Sequence, residues 1–379
     1  MYDVSLLMKA NSRIQKRRPI LQDGHFIFVS DEPFFDEYAL AEFMAFCNRI
    51  VHGGYPKGIP VIVQFTKEIK FEEKLMFILL ECVCKYLISE GHPVSLNMKI
   101  HPEINTHGFE SSPLKLLESS TYGNTDRFKE KFSKDLFRRH YRGVFPHDAK
   151  GDDLSIIMGD TASFQRIGNI RDEDRDMVAE VMAGLLGNAQ EHSMSDCLYD
   201  FDITPAYRKK GSDKIFVGMN IVILNLSHKL LGTGLKQKLE GLSEELPARY
   251  KQVMEALERH KIFFNSLYRE EDFFNIAAFQ HKISGRVDNN CTGGTGLTKL
   301  IHTLEEKSDA YDCFVQSGSR QFRFEHRYMN YNEDWIGFND SNDFLTRPPN
   351  IGLFRDSRIY LPGTAYNLTF IMETEGPLM

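Results

Sequence analysis

The sequence predicts an α/β protein of two units, and three observations support this class. In the N-terminal third, short apolar runs alternate with longer segments whose apolar residues recur at helical spacing, which is the order of a parallel βαβ unit. In the C-terminal half, an amphipathic helical run precedes several long apolar strands. The chain of 379 residues is also too long for one small core, so two domains are expected.

The N-terminal unit, residues 1–125, alternates strand and helix patterns. In chain order these are a strand at 25–30, a helix at 37–51, a strand at 60–65, a helix at 72–90 and a strand at 93–98. Strand, helix and strand in this order connect parallel strands. The layout resembles that of the STAS-like domains found beside ATP-binding partners in bacterial regulatory proteins. This resemblance is one of layout alone, because the unit has no diagnostic motif.

Residues 126–154 are expected to connect the two units. We expect a helix at 126–142, in which Phe128, Phe132 and Leu136 recur every four residues as one apolar stripe. The other faces of this helix are rich in Lys and Arg. They either bind an acidic partner, nucleic acid included, or form the solvated surface of a connecting helix, and we favour the second interpretation.

Composition and charge limit the classes of partner and location. A net charge of −7 argues against a general affinity for nucleic acid, although the local basic patch at 126–142 leaves it open. The six cysteines show no spacing typical of zinc sites, so we expect reduced thiols. The most apolar segment, residues 75–88, is interrupted by Glu81 and Lys85 and is too short to span a bilayer. With an N-terminus that lacks the order of a signal peptide, these features predict a cytoplasmic protein without membrane contact.

The amphipathic run at 176–193 is the most informative part of the C-terminal unit, residues 155–379. The polar residues that interrupt its apolar pattern, Asn188 and Glu191 among them, lie at its C-terminal end. The run resembles the N-box of the GHKL (Bergerat-fold) ATP-binding superfamily, which includes histidine kinases, anti-sigma kinases, gyrase and chaperone ATPases. The resemblance implies that Asn188 coordinates the Mg²⁺ ion that bridges the phosphates of ATP, and an amide oxygen is a hard, neutral ligand suited to that ion. The alternative is an Asn on the polar face of an ordinary helix.

The strand pattern at 216–225 ends at Asn225, where the superfamily carries an Asp-x-Gly-x-Gly box whose Asp accepts a hydrogen bond from the adenine amino group. The chain departs from this box, because Asn225 stands for the Asp and Ser227 for the first Gly. The resemblance still implies that Asn225 binds adenine, since an amide oxygen can accept the same hydrogen bond. Its NH₂ group can also donate, which would weaken the discrimination of adenine from guanine. Alternatively, Asn225 is a turn residue that closes a strand.

A glycine-rich run leads directly into a helix-like segment at 298–306. The run contains Gly293, Gly294, Thr295, Gly296 and Leu297. Glycines let the backbone approach phosphates closely, and the N–H groups of a helix N-terminus attract negative charge. The run resembles the second glycine box of the superfamily, which implies that these five residues bind the nucleotide.

Two further features follow the order of the superfamily. The insertion at 235–291 corresponds to a mobile lid, and the resemblance implies that Lys282 and Arg286 reach the phosphates, although either can be ordinary surface charge. The pattern at 362–371 is typical of a final strand. Its Thr364 matches the Gly-Thr strand that closes the ATP domain of histidine kinases, where the Thr hydroxyl supports the adenine-binding residue.

The resemblance implies a Mg-ATP-binding regulatory protein or a slow ATPase, in which nucleotide binding and lid closure switch conformation or partner contacts in bacterial signalling or defence. Hydrolysing members place a Glu four residues before the N-box Asn. This chain has Gly184 there, so Glu191 and Glu180 are the remaining catalytic candidates. Two alternatives stay open: an anti-sigma-type serine kinase acting on a STAS-like partner, and a scaffold with a degenerate nucleotide site. A protein partner or a homodimer is expected by analogy with the superfamily.

Overall fold

The computed structural model describes residues 2–12, 19, 21–101, 104–118, 124–190, 194–211, 213–241, 247–281, 283, 300, 308–330 and 335–375. Within these residues the chain forms two sheets, one of five strands and one of seven, and helices pack against both. We call them the small sheet and the large sheet. The predicted α/β class is confirmed.

The small sheet belongs to the N-terminal part of the chain. Its elements are α1 (Ser5–Ala10), β1 (Leu21–Gln22), β2 (His25–Ser30), β3 (Phe34–Phe35), α2 (Glu37–His52), β4 (Val61–Phe71), α3 (Lys74–Ser89) and β5 (Val94–Ile100). Strand β4 lies between β2 and β5 and is parallel to both. The predicted alternation of strands and helices is therefore confirmed, with a longer central strand than expected.

The two long N-terminal helices form for different physical reasons. Helix α2 is capped by Asp36, whose carboxylate accepts hydrogen bonds of 3.0 Å from the backbone N–H groups of Tyr38 and Ala39. Helix α3 has no such side-chain cap, but every residue from Lys74 to Ile88 is buried. Its side chains pack with both the small and the large sheet. A helix that is apolar on nearly all sides is typical of this buried position.

The rest of the chain builds the large sheet and its helices. These elements are α4 (Thr125–Ser133), β6 (Asp135–Phe137), β7 (His140–Phe145), α5 (Gly151–Gln165), α6 (Asp172–Asn188), β8 (Cys197–Ile203), β9 (Tyr207–Arg208), β10 (Ile215–Leu226), α7 (Thr233–Gly241), α8 (Ala248–His260), α9 (Glu270–Ala277), β11 (Ala310–Phe324) and β12 (Phe354–Thr374). The strand order is β11-β12-β10-β8-β7-β6, and β9 pairs with β10. Each pair is antiparallel.

The prediction of a basic helix at 126–142 is wrong beyond the first two helical turns. Helix α4 ends at Ser133, and the following residues form the β6–β7 hairpin, whose turn contains Arg138 at a φ of +50°. A solvated helix face would expose His140 and Arg142, but both are buried in β7. The segment expected to connect two domains is therefore part of the large sheet.

The large sheet is covered on both faces, because its strands alternate between two cores. In β10, Ile221 and Ile223 pack with helices α5 to α9, whereas Val222 and Leu224 pack with the N-terminal part of the chain. We call these two sides the helix face and the N-terminal face. The N-terminal part thus shares a core with the large sheet rather than folding as an isolated domain.

Most of the expected lid is part of the core on the helix face. Helices α8 and α9 and most of α7 lie within the insertion at 235–291, and these helices bury several aliphatic and aromatic side chains against the sheet. Asp272 of α9 is buried and pairs with Arg320 of β11 at 2.8 Å. These contacts attach the described part of the insertion to the large sheet. Residues 242–246, 282 and 284–291 lie outside the described residues.

Two properties of the described residues bear on the environment of the protein. None of their helices combines the length and the apolar character needed to cross a membrane. Their cysteines are buried and form no disulfide.

Candidate functional site

A row of small side chains crosses the large sheet on its helix face, at the end of β10 and the start of β8. Ser317 of β11 faces Thr364 of β12. Thr364 in turn faces Asn225 of β10, which faces Cys197 of β8. Each lies two positions from a side chain of the helix-face core, such as Ile223 beside Asn225, so all four point to that face. We call these four residues the end row. It places the two residues predicted to bind adenine, Asn225 and Thr364, directly opposite each other.

The Asn225 side chain is buried with its amide held in one orientation. Its Nδ2 donates to Ser195 Oγ at 2.5 Å and lies 3.5 Å from the carbonyl oxygens of Ser195 and Asp196. Carbonyl oxygens only accept, so the NH₂ group must face them and Oδ1 must point away. Oδ1 is shielded from water and has no hydrogen-bond partner among the described residues. An unpaired buried acceptor costs about 1–3 kcal/mol, which a donor on a ligand would recover.

The Gly-Thr dipeptide on β12 is fixed by contacts that a larger residue would prevent. Gly363 has a φ of +110°, and a Cβ atom there would lie 2.1 Å from the carbonyl oxygen of Asn225. Ser317 Oγ donates to the Gly363 carbonyl at 2.7 Å and accepts from the Leu231 backbone N–H at 2.9 Å. The Thr364 hydroxyl lies 3.5 Å from the same Ser317 oxygen. The loop after β10 is therefore tied to the end row.

Asn188 is the last residue of α6, which packs on the helix face of the large sheet. Its side chain is half-buried, at the border of the apolar stripe that contains Leu185 and Ala189. Residues 189–190 continue the helix in π geometry, a distortion that is frequent at functional sites. The chain then enters β8 at Cys197, a member of the end row. The C-terminal end of α6 thus leads directly to the end of the sheet that carries Asn225.

Glu180 lies on the same helix, eight residues before Asn188. At the rise and turn of an α-helix, the two residues are separated by about 12 Å along the axis and by about 80° around it. This geometry disfavours a single metal ion or water molecule in contact with both side chains.

The remaining predicted site residues lie outside the described residues. They are Glu191, Lys282, Arg286, Gly293, Gly294, Thr295, Gly296 and Leu297. Their assigned roles stay predictions of the sequence.

The sequence interpretation missed a buried ionic network on the N-terminal face of the large sheet. Asp200 and Asp202 in β8, and His140 and Arg142 in β7, alternate with apolar residues and point to that face. Charged residues at every second position of otherwise apolar strands were the available signal. Sequence alone gave no indication of their partners on α3.

Each charge in this network has an opposite charge within 3.1 Å. Lys74 of α3 lies 2.6 Å from the carboxylates of both Asp200 and Asp202. Glu81, seven residues after Lys74 on α3, pairs with Arg142 at 2.5 Å. Arg142 also pairs with Asp200 at 3.1 Å. The network therefore joins α3 to the large sheet.

The ionisation of the network follows from this pairing. Burial alone would raise the pKa of Asp200, but the surrounding cations hold it well below its ordinary value. Burial opposes the charged form of His140 as well, yet its contacts with Asp200 and Asp135, both at 2.8 Å, raise the pKa of His140 to about 8. Each charged side chain of the network has an opposite charge beside it, and all except the partly buried Asp135 are buried, which is typical of a structural rather than a catalytic role.

A surface cleft lies apart from the end row, since none of the four end-row residues lines it. A cleft of about 510 Å³ lies between the start of β11 and residues 323–327, and its walls carry both signs of charge. Arg323 donates to Asp312 across it at 2.9 Å. Among the described residues, no three His, Cys, Asp or Glu side chains are grouped to hold a metal ion.

Comparison of the chain with protein-family models, with curated proteins and with solved structures found no match.

Proposed function

We propose that this chain is a Mg-ATP-binding regulatory protein of the Bergerat type, or a slow ATPase, in which the bound nucleotide changes conformation or partner contacts. The end row on the helix face is the binding site for the base, and the end of α6 is the binding site for the metal and the phosphates. The order of the elements supports this proposal: an amphipathic helix ending in Asn188, a strand in which Asn225 is the last residue but one, and a last strand that brings Thr364 opposite Asn225.

The observation that carries the proposal is the unpaired Oδ1 atom of Asn225. It is buried, it points away from the atoms that hold its NH₂ group, and its residue lies opposite Thr364 in the sheet. An adenine amino group would supply the missing donor, and the Thr364 hydroxyl can donate to a ring nitrogen of the same base.

The metal part of the proposal rests on Asn188. Mg²⁺ usually keeps most of its coordination for phosphates and water and takes only one or two protein ligands, so a dedicated cage of acidic residues is not required. The Asn188 side chain would supply an oxygen ligand, and the ion would screen the charge of the phosphates. The glycine-rich run at 292–297 remains the predicted binding site for those phosphates.

One alternative has a specific observation in its favour. Gly184 occupies the place where hydrolysing relatives of this fold type carry their base, and Asn225 replaces the usual Asp, as in a scaffold with a degenerate site. An anti-sigma-type kinase has less support, because transfer also requires a positioned base. We propose a cytoplasmic location on the basis of the free cysteines, and a protein partner or second copy as the recipient of the nucleotide signal.

Isothermal calorimetry of the whole chain with ATP, with and without Mg²⁺, tests the proposal. The parent should bind ATP more tightly with Mg²⁺ than without it. Asn188→Ala should weaken Mg-ATP binding by at least about tenfold, which is about 1.4 kcal/mol. Asn188→Asp, which keeps an oxygen ligand, is the matched control and should bind close to the parent.

The outcomes separate the alternatives. Equal affinity for the parent and Asn188→Ala would remove Asn188 from the site. Absence of ATP binding by the folded parent would overturn the proposal and leave a scaffold with a degenerate site as the remaining interpretation. Transfer of the terminal phosphate to an added protein would identify a kinase.

A further inference from the structure

We infer that the edge strand β6 is a docking site for an extended acidic segment of a partner protein, which adds to the large sheet as a further strand. Strand β6 (Asp135–Phe137) stands last in the strand order of the large sheet, and among the described residues only β7 pairs with it. The inference is independent of the proposed nucleotide site, because it uses none of the residues of that site.

The outer side of β6 presents backbone groups to which a further strand can bond. The carbonyl oxygen of Arg139 accepts a hydrogen bond of 3.0 Å from the N–H group of Ile203, on the β8 side of the sheet. Backbone groups alternate from side to side along an antiparallel strand, so the next residue, His140, bonds toward β6, where it faces Phe137. The N–H and C=O groups of Leu136, the residue before Phe137, therefore point away from the sheet.

Two large apolar side chains are exposed on opposite faces of this strand. Leu136 faces Tyr141 of the helix-face core, and its side chain is 68% exposed. Phe137 faces His140, which points to the N-terminal face, and it is 52% exposed. A partner that approached one face would leave the other side chain in water. An added strand places side chains beside both faces at once, so this arrangement favours strand addition.

The charge around β6 indicates the kind of segment that binds. Residues 126–139 contain six Lys or Arg and three Asp or Glu, in a chain whose net charge is −7. Arg127, Lys134 and Arg138 are exposed and form no ion pair with the described residues. Lys134 precedes β6 and Arg138 follows it, so an added strand would meet a cation at each end. A segment in which carboxylates flank apolar residues is complementary to this pattern.

The same charges argue against the other occupants. In an antiparallel two-fold pairing centred on Leu136, Lys134 would face Arg138 of the second copy, so like charges would oppose each other. Nucleic acid and an anionic membrane fit less well than a peptide, since Asp126 and Glu130 are exposed on the same surface. An acidic extended segment is the occupant that satisfies the backbone, the apolar side chains and the charges together.

A labelled peptide tests the inference on the whole chain. Its sequence is Glu-Glu-Val-Thr-Val-Thr-Val-Glu-Glu, and fluorescence anisotropy measures its affinity. In one matched peptide Lys replaces each Glu, and in another the five central amides are N-methylated and cannot donate. The acidic peptide should bind at least about tenfold more tightly than the Lys peptide. It should bind at least about threefold more tightly than the methylated peptide, because the C=O group of Leu136 then has no donor.

Two variants of the chain locate the binding site. Lys134→Glu combined with Arg138→Glu should reverse the preference between the acidic peptide and the Lys peptide. Phe137→Ser should weaken binding of the acidic peptide by at least about threefold, because apolar contact area is lost. All three side chains are exposed, so both variants should unfold in urea at the same concentration as the parent.

Matched controls change other exposed positions of the same kind. Lys67→Glu combined with Lys251→Glu alters the net charge by the same amount away from β6, and Ile262→Ser removes an apolar side chain that is 82% exposed. Both controls should bind the acidic peptide as the parent does.

Several results would overturn the inference. One is a folded parent that does not bind the acidic peptide at about 1 mM. Others are equal binding of the methylated peptide, or a charge preference that the Lys134→Glu and Arg138→Glu pair does not alter. Tighter binding of a labelled oligothymidylate or of phosphatidylserine vesicles would identify nucleic acid or a membrane as the occupant. A dimer in sedimentation that Leu136→Ser dissociates would identify a second copy.

Discussion

The two faces of the large sheet both bury polar side chains, but these side chains differ in whether they have partners. On the N-terminal face, Lys74, Arg142 and His140 each contact a carboxylate within 3.1 Å. On the helix face, Asn225 keeps a buried acceptor without a partner among the described residues. A buried polar group that is fully paired belongs to the folded structure, whereas an unpaired one on a packed sheet requires a further explanation. We propose a ligand as that explanation for Asn225.

The comparison also separates stability from function. A paired ionic network is expensive to break, because removal of one member leaves the others charged and buried. An unpaired acceptor already costs free energy in the empty protein, so its removal costs little. Substitutions in the ionic network should therefore mainly lower the free energy of unfolding, whereas substitution of Asn225 should mainly weaken ATP binding.

The largest expected effect is the loss of stability when Lys74 is replaced. Lys74→Met keeps the length of the side chain but leaves the carboxylates of Asp200 and Asp202 without their nearest cation, which should destabilise the protein by about 3–5 kcal/mol. Urea unfolding measures this change. Lys209→Met removes an exposed Lys–Asp pair of 2.8 Å and should leave unfolding unchanged within error.

A second variant keeps the test decisive if Lys74→Met does not fold. Lys74→Met combined with Asp202→Asn removes one of the uncompensated charges and should recover part of the lost stability. A single variant as stable as the parent would mean that the network contributes nothing to joining α3 to the sheet.

The next effect concerns the pH dependence of stability. The pKa of His140 is raised to about 8 in the folded protein, against an ordinary value of about 6.5 in the unfolded chain. The folded state therefore binds the proton more tightly, and the resulting stabilisation of about 2 kcal/mol is fully present below pH 6.5 and lost as the pH rises through about 8.

The difference in unfolding free energy between the parent and His140→Gln, followed from pH 6 to pH 9, measures this contribution. The difference isolates His140 from other groups that titrate in the range, such as Glu73, whose pKa burial raises to about 7. His147→Gln at the exposed contact with Asp196 is the control, with little change expected. A pH-independent difference between the parent and His140→Gln would show that the fold does not raise the pKa of His140.

A smaller change in stability is expected on the helix face. Asn225→Leu should alter the free energy of unfolding by less than about 1 kcal/mol, because the lost bonds to Ser195 are offset by removal of an unpaired acceptor. The same variant should weaken ATP binding by at least about tenfold. Asp200→Leu on the other face is the matched substitution and should destabilise much more. If the two variants lose equal stability, the end row is structural.

The fold was largely predictable because hydrophobic periodicity reports burial directly. The βαβ order of the N-terminal part and the final strand around Thr364 follow from local patterns. The helix expected at 126–142 failed because the basic residue Arg142 was read as solvated. Its buried partners, Glu81 and Asp200, are some sixty residues away in sequence, and no local pattern reports such pairing.

The candidate site was predictable only in part. Asn188, Asn225 and Thr364 could be assigned from the order of motifs, and the sheet register brings the last two together. The orientation of the Asn225 amide depends on the backbone of residues 195–196, which sequence does not reveal. The packing of the described part of the expected lid on the large sheet was not predictable, because charged, amphipathic helices can pack on a sheet as readily as they cover a site.

The smallest expected effect is that of Glu180. Glu180→Gln should leave both Mg-ATP affinity and turnover unchanged, because Glu180 lies about 12 Å along the helix and about 80° around it from Asn188.

Without a positioned base the parent should hydrolyse ATP below about 0.1 s⁻¹, since general base catalysis contributes about 10²–10⁴-fold and typical enzymes turn over at about 10 s⁻¹. Steady-state phosphate release measures the rate. Glu191→Gln serves as the parallel variant, because the sequence gives it the same candidate role. Turnover of the parent above about 1 s⁻¹ would show that a base exists. If Glu180→Gln then abolished turnover while binding persisted, α6 would have to present Glu180 to the nucleotide, and the arrangement of the site proposed here would be wrong.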